Sequence, residues 1–482
     1  MSERGELPRG ELFLDGQWTP ARSRSTFETL DPATEETLTR VARGGPEDVD
    51  EAVRAARAAF EGPCRRMTPV DRARLLTRAA RTLESRAEEF ARLETRDTGK
   101  PRTLSRSEIH GCVRYFDYYA GAADKIQGET VPLGPDYLDY TVREPVGVTA
   151  HITPWNAPLS MVCRSLAPAL AAGNTAVVKP AEQAPLTALV LADVLQQAGW
   201  PAGTYNVVTG FGGEAGAALS GHPGIDSLTF TGSVPTGRTV LQAAGEHITP
   251  VILELGGKSP QIVFEDADLD RAAEEIAKGI YTNAGQYCDA GSRLLVHTSV
   301  REPLLERLTA RTKQLRVGPG MDDPDMGPLI SAAQRDRVLD YIEAGRSAGA
   351  HVVTGTADFP TGYFVAPTLL DGVRPDMRVA REEIFGPVLA VLTFGSEEEA
   401  AELANATEYG LAAGIHTRDV DRALCFARDV GAGYVMVNEY FSGGVESPFG
   451  GSKHSGYGRE RGLAALDNYT RLRNVVLRIQ KG

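Results

Sequence analysis

Residues 147–183 read GVTAHITPWNAPLSMVCRSLAPALAAGNTAVVKPAEQ, and their rhythm decides the fold. Val148–Ile152 is a short β-rich run, Leu159–Ala172 has helical character, and Thr175–Lys179 is a second β-rich run. The alternation continues to about residue 263. Further strands are predicted at Thr204–Val208, Ser227–Phe230 and Pro250–Leu255, and helices at Leu186–Gln197, Glu214–Ser220 and Thr236–Ala244. Strands and helices joined by such short connections predict a parallel sheet covered by helices on both faces. The site of such a nucleotide-type domain lies beyond the carboxyl ends of its strands.

Upstream, Pro46–Thr98 is strongly helical: Val49, Ala52, Val53, Ala56 and Phe60 recur at three-to-four spacing, and Leu75, Leu76, Ala79, Leu83 and Phe90 share a face after Thr68-Pro69. A third helical run covers about 107–126, and short strands and turns precede residue 40. Leu138–Arg143 alternates like a strand at a sheet edge or an interface. Downstream, roughly 256–440 forms a second α/β block, with helices at Leu269–Asn283, Arg301–Leu315 and Ala332–Ala348. Its predicted strands are Leu294–Val296, Leu389–Thr393 and Tyr434–Asn438. The stretch 442–458 is too glycine-dense for regular structure and reads as a shaped loop, while Tyr469–Ile479 returns to strand character. Two parallel-sheet α/β lobes and a small β element for oligomerisation are expected.

Composition narrows the function classes. The chain has 482 residues, 42% hydrophobic and 24% charged, which excludes wholesale disorder. Its net charge of −13, without a Lys/Arg block, argues against nucleic acid or an anionic membrane as a partner. No run approaches the roughly 18 apolar residues of a transmembrane helix, and the first residues lack a signal-peptide core. Five scattered cysteines with no CxxC spacing read as reduced thiols, hence a cytoplasmic location.

Four segments carry chemistry. Gly232–Thr239 nearly matches a phosphate loop, but Arg238 replaces the lysine and a proline occupies the turn, so NTP hydrolysis is not expected. A strand and Gly-rich turn opening a helix still suit a dinucleotide's diphosphate. Cys288 has glycines at 285 and 291 and Asp289 beside it; a lone cysteine is usually a small core residue, yet these neighbours make an exposed turn where a thiolate would be reactive. Glu254 ends an apolar strand, so it is either functional or paired with Lys258. Asn156, between Pro154 and Pro158, is either a helix cap or a rigid amide donor.

These segments make the chain resemble the NAD(P)-dependent aldehyde dehydrogenase superfamily, from about residue 10 to the end. The carrying motifs are Pro154-Trp-Asn-Ala-Pro158, Val178-Lys-Pro-Ala-Glu182, Phe230-Thr-Gly-Ser233, Leu253-Glu-Leu-Gly-Gly-Lys-Ser-Pro260, Gly285-Gln-Tyr-Cys288, Glu382-Glu-Ile-Phe-Gly-Pro387 and Pro448-Phe-Gly-Gly-Ser-Lys-His-Ser-Gly456. The resemblance implies that Cys288 attacks an aldehyde to form a thiohemiacetal and that its backbone N–H and the Asn156 amide hold the oxyanion. Hydride passes to the nicotinamide, and Glu254 activates water to hydrolyse the resulting thioester. It further implies that Lys179 and Glu182 contact the adenosine ribose, Glu182 favouring NAD over NADP. Ser233 would meet the pyrophosphate, Glu383 and Phe385 the nicotinamide ribose and ring, and Trp155 another part of the cofactor. No metal is needed. Residues 1–126 and 147–254 would form the NAD-binding domain, 255–445 the catalytic domain, and 127–146 with 465–482 the oligomerisation element of a homodimer or homotetramer.

Two departures from the family pattern bear on substrate. Asp289 stands where small, hydroxyl or thiol residues are common, and would either raise the thiol pKa or contact a polar substrate group. Arg164 stands where relatives often carry tryptophan, and would either face the tunnel and bind an acidic or phenolic substrate or face out as a surface charge. Ala157, Met161, Tyr287 and the loop 439–443, including Phe441, are expected to border the tunnel. The small Ala157 and Gly443 favour an aromatic aldehyde, with carboxylate-bearing catabolic semialdehydes as the alternative. A CoA-acylating relative typically lacks the general-base glutamate, so Glu254 argues against that class, and the presence of Cys288 argues against a non-catalytic relative.

Overall fold

Five parallel strands form the centre of an eight-stranded sheet, in the order Tyr205–Val207, Thr175–Lys179, Val148–Ile152, Ser227–Thr231 and Val251–Glu254. The structure is a computed structural model that describes residues 7–355, 357 and 359–480. Residues 1–6, part of the stretch read for a signal peptide, and 481–482, at the end of the expected third element, lie outside the described residues. Every residue of Val148–Ile152 and Thr175–Lys179 is buried, as continuous apolar strands with helices on both faces require. One face carries Pro69–Ser85, Arg102–Ala122, Pro158–Ala172 and Leu186–Ala198, while Pro46–Glu61 and Val234–Gly245 cover the other, over two separate apolar cores. From Val148–Ile152 the chain winds one way to Tyr205–Val207, then crosses back to Ser227–Thr231 on the opposite side. This reversal opens a crevice at the carboxyl ends of Val148–Ile152 and Ser227–Thr231.

The second sheet runs His351–Val352, Thr368–Asp371, Val388–Phe394, Arg293–His297, Pro260–Val263, Ala412–His416 and Tyr434–Val437, parallel except for its first pair. Pro260–Val263, Thr368–Asp371 and Ala412–His416 are strands that the sequence reading did not identify. Two are only four residues long, and short apolar runs carry little periodic signal. A third, antiparallel sheet pairs Thr470–Arg478 with Tyr137–Pro145 along their whole length and adds Thr130–Val131. Leu138, Val142, Leu472 and Val476 are exposed on it.

Residues 442–458 are more ordered than their glycine content predicts. Ser452–Lys453 pairs with Tyr409–Gly410, and Gly456–Tyr457 adds to the first sheet beside Leu253 and Glu254. The glycines permit this closeness: Gly456 has φ +112, and a Cβ there would stand 1.9 Å from the Leu253 carbonyl oxygen. The expected helix Glu214–Ser220 is an irregular turn, Gly212–Gly216, leading into Ala217–Ser220, and the third helical run is Arg102–Ala122 rather than 107–126.

Candidate active site

A cavity of about 220 Å³ lies at the crevice. The first lobe contributes Trp155, Asn156, Met161, Ser233 and Glu254 to its wall, and the chain beyond contributes Cys288, Glu383 and Phe385. Residues far apart in sequence meet here because Asn156 follows the strand Val148–Ile152, Ser233 follows Ser227–Thr231, and Glu254 ends Val251–Glu254.

Cys288 follows the helix Leu269–Tyr281 through a turn whose Asn283, Ala284 and Gly285 all have positive φ. Gln286 clamps that turn: its Nε2 donates to Asn283 O at 3.0 Å and its Oε1 accepts from the Ile330 amide at 3.0 Å. Cys288 as a residue is half-buried, unlike the buried Cys64, Cys112 and Cys163. Burial pushes its thiol well above the ordinary cysteine range, Asp289 adds to this, and Arg164 opposes it. Gly257 packs against the nucleophile's carbonyl, since a Cβ there would lie 2.5 Å from Cys288 O.

Asn156 is not a helix cap. Ala157 occupies that position in Pro158–Ala172 with no side-chain cap, and Asn156 Nδ2 instead donates to Gln286 O at 2.8 Å. An amide nitrogen carries two hydrogens, so one remains to be donated. The Asn156 carbonyl accepts from Lys100 Nζ at 2.8 Å and Asn283 Nδ2 at 3.0 Å, which fixes the peptide from both sides.

Glu254 is 1% exposed, and neither carboxyl oxygen has a hydrogen-bond partner among the described residues. The proposed pairing with Lys258 does not occur: Lys258 Nζ is also buried without a hydrogen-bond partner, and burial, helped by Arg293, lowers it to about 7. Burial raises the Glu254 carboxyl well above its usual range, and the neighbouring Glu460 raises it further. Gly450 keeps the space beside it open, because a Cβ there would lie 2.8 Å from Glu254 Oε1.

The cofactor-type residues fall into two groups. Ser233 caps Val234–Gly245 and lines the cavity with Glu383, whose Oε1 accepts from the Gly257 amide at 2.9 Å. Burial raises Glu383 to about 7, and Gly256 gives its carboxylate room, since a Cβ there would sit 2.2 Å away. The Trp155 and Phe385 rings meet edge-on at 5.3 Å. Lys179 and Glu182 form an ion pair of 3.0 Å at and beyond the end of Thr175–Lys179, outside the Cys288 cavity.

Arg164 is 1% exposed, which overturns the surface-charge alternative. It is ion-paired to the equally buried Glu460 and lies 5.3 Å over the Phe449 ring, so its charge is already answered within the fold. Ala157 is buried, while Tyr287 donates from its hydroxyl to Glu108 and meets Phe441 edge-on at 5.6 Å. None of Ala157, Arg164, Tyr287, Asp289 and Phe441 lines the 220 Å³ cavity, unlike Met161. The sequence reading missed Lys100, Glu108, Glu460 and Arg461. All four carry ordinary surface residue types, and no local pattern marks them as partners within the fold.

Comparison with known proteins bears directly on this arrangement. Residues 18–475 match the profile of the Aldehyde dehydrogenase family. Aldehyde dehydrogenase 1 of Tanacetum cinerariifolium is 48% identical over 471 residues, 97% of this chain and 94% of that relative. The structure of a Bacillus cereus aldehyde dehydrogenase in complex with NAD+ superimposes with a TM-score of 0.97 at 45% identity, covering 99% of this chain and 97% of the other. An indole-3-acetaldehyde dehydrogenase structure with NAD+ gives a TM-score of 0.97 at 42% identity, covering 99% and 98%. With a family profile spanning nearly the whole chain, and relatives of this identity matched along almost their full lengths, this chain belongs to the aldehyde dehydrogenase family.

Proposed function

We propose that this aldehyde dehydrogenase oxidises an aldehyde to its carboxylic acid with NAD. The observation that carries the reading is the convergence of Cys288, Asn156 and Glu254 on one cavity with Ser233, Glu383, Trp155 and Phe385. The residues present fit the cofactor: a helix N-terminus at Ser233 suits a diphosphate, and Glu383 offers carboxylate oxygens to ribose hydroxyls. The chemistry that NAD supplies when bound is acceptance of a hydride. Cys288, as the thiolate, bonds through Sγ to the aldehyde carbon as the C=O π pair moves onto oxygen, and the Cys288 N–H and the remaining Asn156 N–H hold the resulting oxyanion. Glu254, once deprotonated, takes a proton from the water that hydrolyses the Cys288 thioester. The same carboxylate favours release of an acid over transfer to CoA.

The residues 1–126 with 147–254 serve as the NAD-binding domain and 255–445 as the catalytic domain. The third sheet, 127–146 with the tail from 465, joins copies into a homodimer or homotetramer, supported by its exposed Leu138, Val142, Leu472 and Val476. The enzyme acts in the cytoplasm, in keeping with its free thiols. Among the described residues no helix is long and apolar enough to cross a membrane.

The substrate is an aromatic aldehyde, a reading supported by the relative named for indole-3-acetaldehyde. One observation favours a second reading, a carboxylate-bearing semialdehyde. Arg461 Nε is buried without a hydrogen-bond partner, and its guanidinium opposes the burial that raises the Asp289 carboxyl next to the nucleophile. NADH formation across apolar, aromatic and carboxylate-bearing aldehydes tests both. The highest kcat/KM is expected on aromatic members, preference for carboxylates would select the second reading, and no activity with any aldehyde would overturn the function.

Glu182 favours NAD because its carboxylate repels a 2′-phosphate. Glu182→Ala is expected to narrow the NAD-over-NADP ratio of kcat/KM by about tenfold, the scale of one like-charge contact. An unchanged ratio would remove Glu182 as the discriminator.

A further inference from the structure

We infer that Lys100 is a positioning residue for the reaction, its buried ammonium tying the loop that carries Asn156 to the segment that carries Cys288. This rests on the reading of those two residues as oxyanion donor and nucleophile. Lys100 follows Gly99, whose φ of +79 ends the helix Ala87–Thr98, and is 1% exposed. Its Nζ donates to Glu108 Oε2 at 2.6 Å, Asn156 O at 2.8 Å and Glu94 Oε1 at 3.4 Å. An ammonium has three hydrogens, and these three acceptors account for all of them.

Each acceptor leads to a different part of the site. Asn156 O belongs to the residue whose amide faces the cavity. The other oxygen of Glu108 accepts from the hydroxyl of Tyr287, the residue immediately before Cys288. Glu94 Oε2 accepts from the Leu159 amide at 3.4 Å, at the start of the helix that follows Asn156. Asn283 closes the circuit, donating from Nδ2 to Asn156 O at 3.0 Å and reaching Gln286 O at 3.5 Å. One cation thus holds the segments around 94–108, 154–159 and 286–288 in a single register.

Stability alone does not call for this cation. Burying an ammonium costs several kcal/mol, and well-packed apolar side chains of similar volume often serve a fold as well as a buried ion pair. Geometry gives it a purpose. Asn156 Nδ2 spends one hydrogen on Gln286 O, so the direction of the other depends on how the Asn156 and Gln286 backbones sit relative to each other. That relation is what Lys100, Glu108 and Tyr287 fix. Burial also lifts Glu94 to about 7, against the pull of Lys100, which eases the excess of two carboxylates over one ammonium.

An oxyanion donor is worth about 10²–10³ in rate, and a misplacement of about 1 Å can cost 10². The test is the pre-steady-state NADH burst with benzaldehyde, which reads thioester formation, alongside KM for NAD and thermal unfolding. Lys100→Met is expected to slow the burst by about 10- to 100-fold while KM for NAD stays within about twofold. A folded Lys100→Met enzyme whose burst lies within threefold of wild type overturns the proposal. Should that variant fail to fold, Tyr287→Phe decides, because it removes only the hydroxyl that links Glu108 to the nucleophile's segment. Its burst is expected to slow about three- to tenfold, and an unchanged burst overturns the proposal. A wild-type chain that forms no NADH from any aldehyde overturns the proposed function together with the inference resting on it; normal bursts in wild type and variants overturn Lys100's role alone.

Discussion

Cys288→Ala is expected to abolish aldehyde oxidation, lowering kcat by about 10⁴-fold or more, the scale on which a covalent nucleophile's removal is felt. No other thiol can substitute. Cys64, Cys112 and Cys163 are buried in the first lobe, Cys425 is exposed on the helix Val420–Asp429, and Cys288 alone lines the cavity among the described cysteines. NAD binding should persist, because Ser233, Glu383, Trp155 and Phe385 are untouched, and this can be followed by quenching of protein fluorescence on titration. Stability should barely change, since the residue is half-buried and loses only a sulfur atom. Turnover near the wild-type rate would remove Cys288 as nucleophile, while loss of both NAD binding and turnover would point to a structural defect.

The parts of this enzyme that were legible in its sequence are those whose information is local. Val148–Ile152 and Thr175–Lys179 are short β-rich runs punctuated by helices, and a buried parallel strand leaves that trace. Cys288 among glycines and Glu254 at the end of an apolar strand are local oddities, each costly to the fold unless used, and the structure sets both on one cavity. What escaped was pairing between distant residues. Arg164 admitted two local readings, tunnel or solvent, and the structure shows a third: an ion pair with Glu460, nearly three hundred residues away. Lys100 just past a helix and Glu108 within one look like solvated charges, and only the tertiary fold turns them into a strut behind Asn156.

Glycine misled in the same way. The stretch 442–458 reads as irregular because glycine disfavours regular strands. Yet Gly456 pairs with Glu254 in an added strand, where its missing side chain is the condition for the contact. The density of glycine around Glu254 is better understood as clearance. Gly450 leaves room for its carboxyl, as Gly256 does for that of Glu383, and a Cβ at either position would intrude on the acid beside it.

Glu254→Gln is expected to separate the two halves of the reaction. Thioester formation needs Cys288 and Asn156, so a burst of NADH of about one equivalent per site should remain, followed by steady-state turnover slowed about 10²- to 10⁴-fold for want of a general base. The pH dependence follows from the burial of this carboxyl. Only the deprotonated acid can take the proton from water, and burial with Glu460 nearby holds the proton on Glu254 well above the ordinary carboxylate range. Steady-state turnover should therefore climb as pH rises through that elevated value and flatten in the Gln variant. Stability should run the other way. A carboxyl raised in the folded state binds more protons than in the unfolded chain, so its contribution is present below the unfolded value and is lost as pH rises toward the folded one. Glutamine resembles the neutral acid and removes this loss, so Glu254→Gln should gain thermal stability over wild type on going from pH 5 to pH 8. An unchanged steady-state rate, or a wild-type profile with no ascending limb above the ordinary carboxylate range, would rule out Glu254 as the base and leave hydrolysis to some other group on the cavity wall.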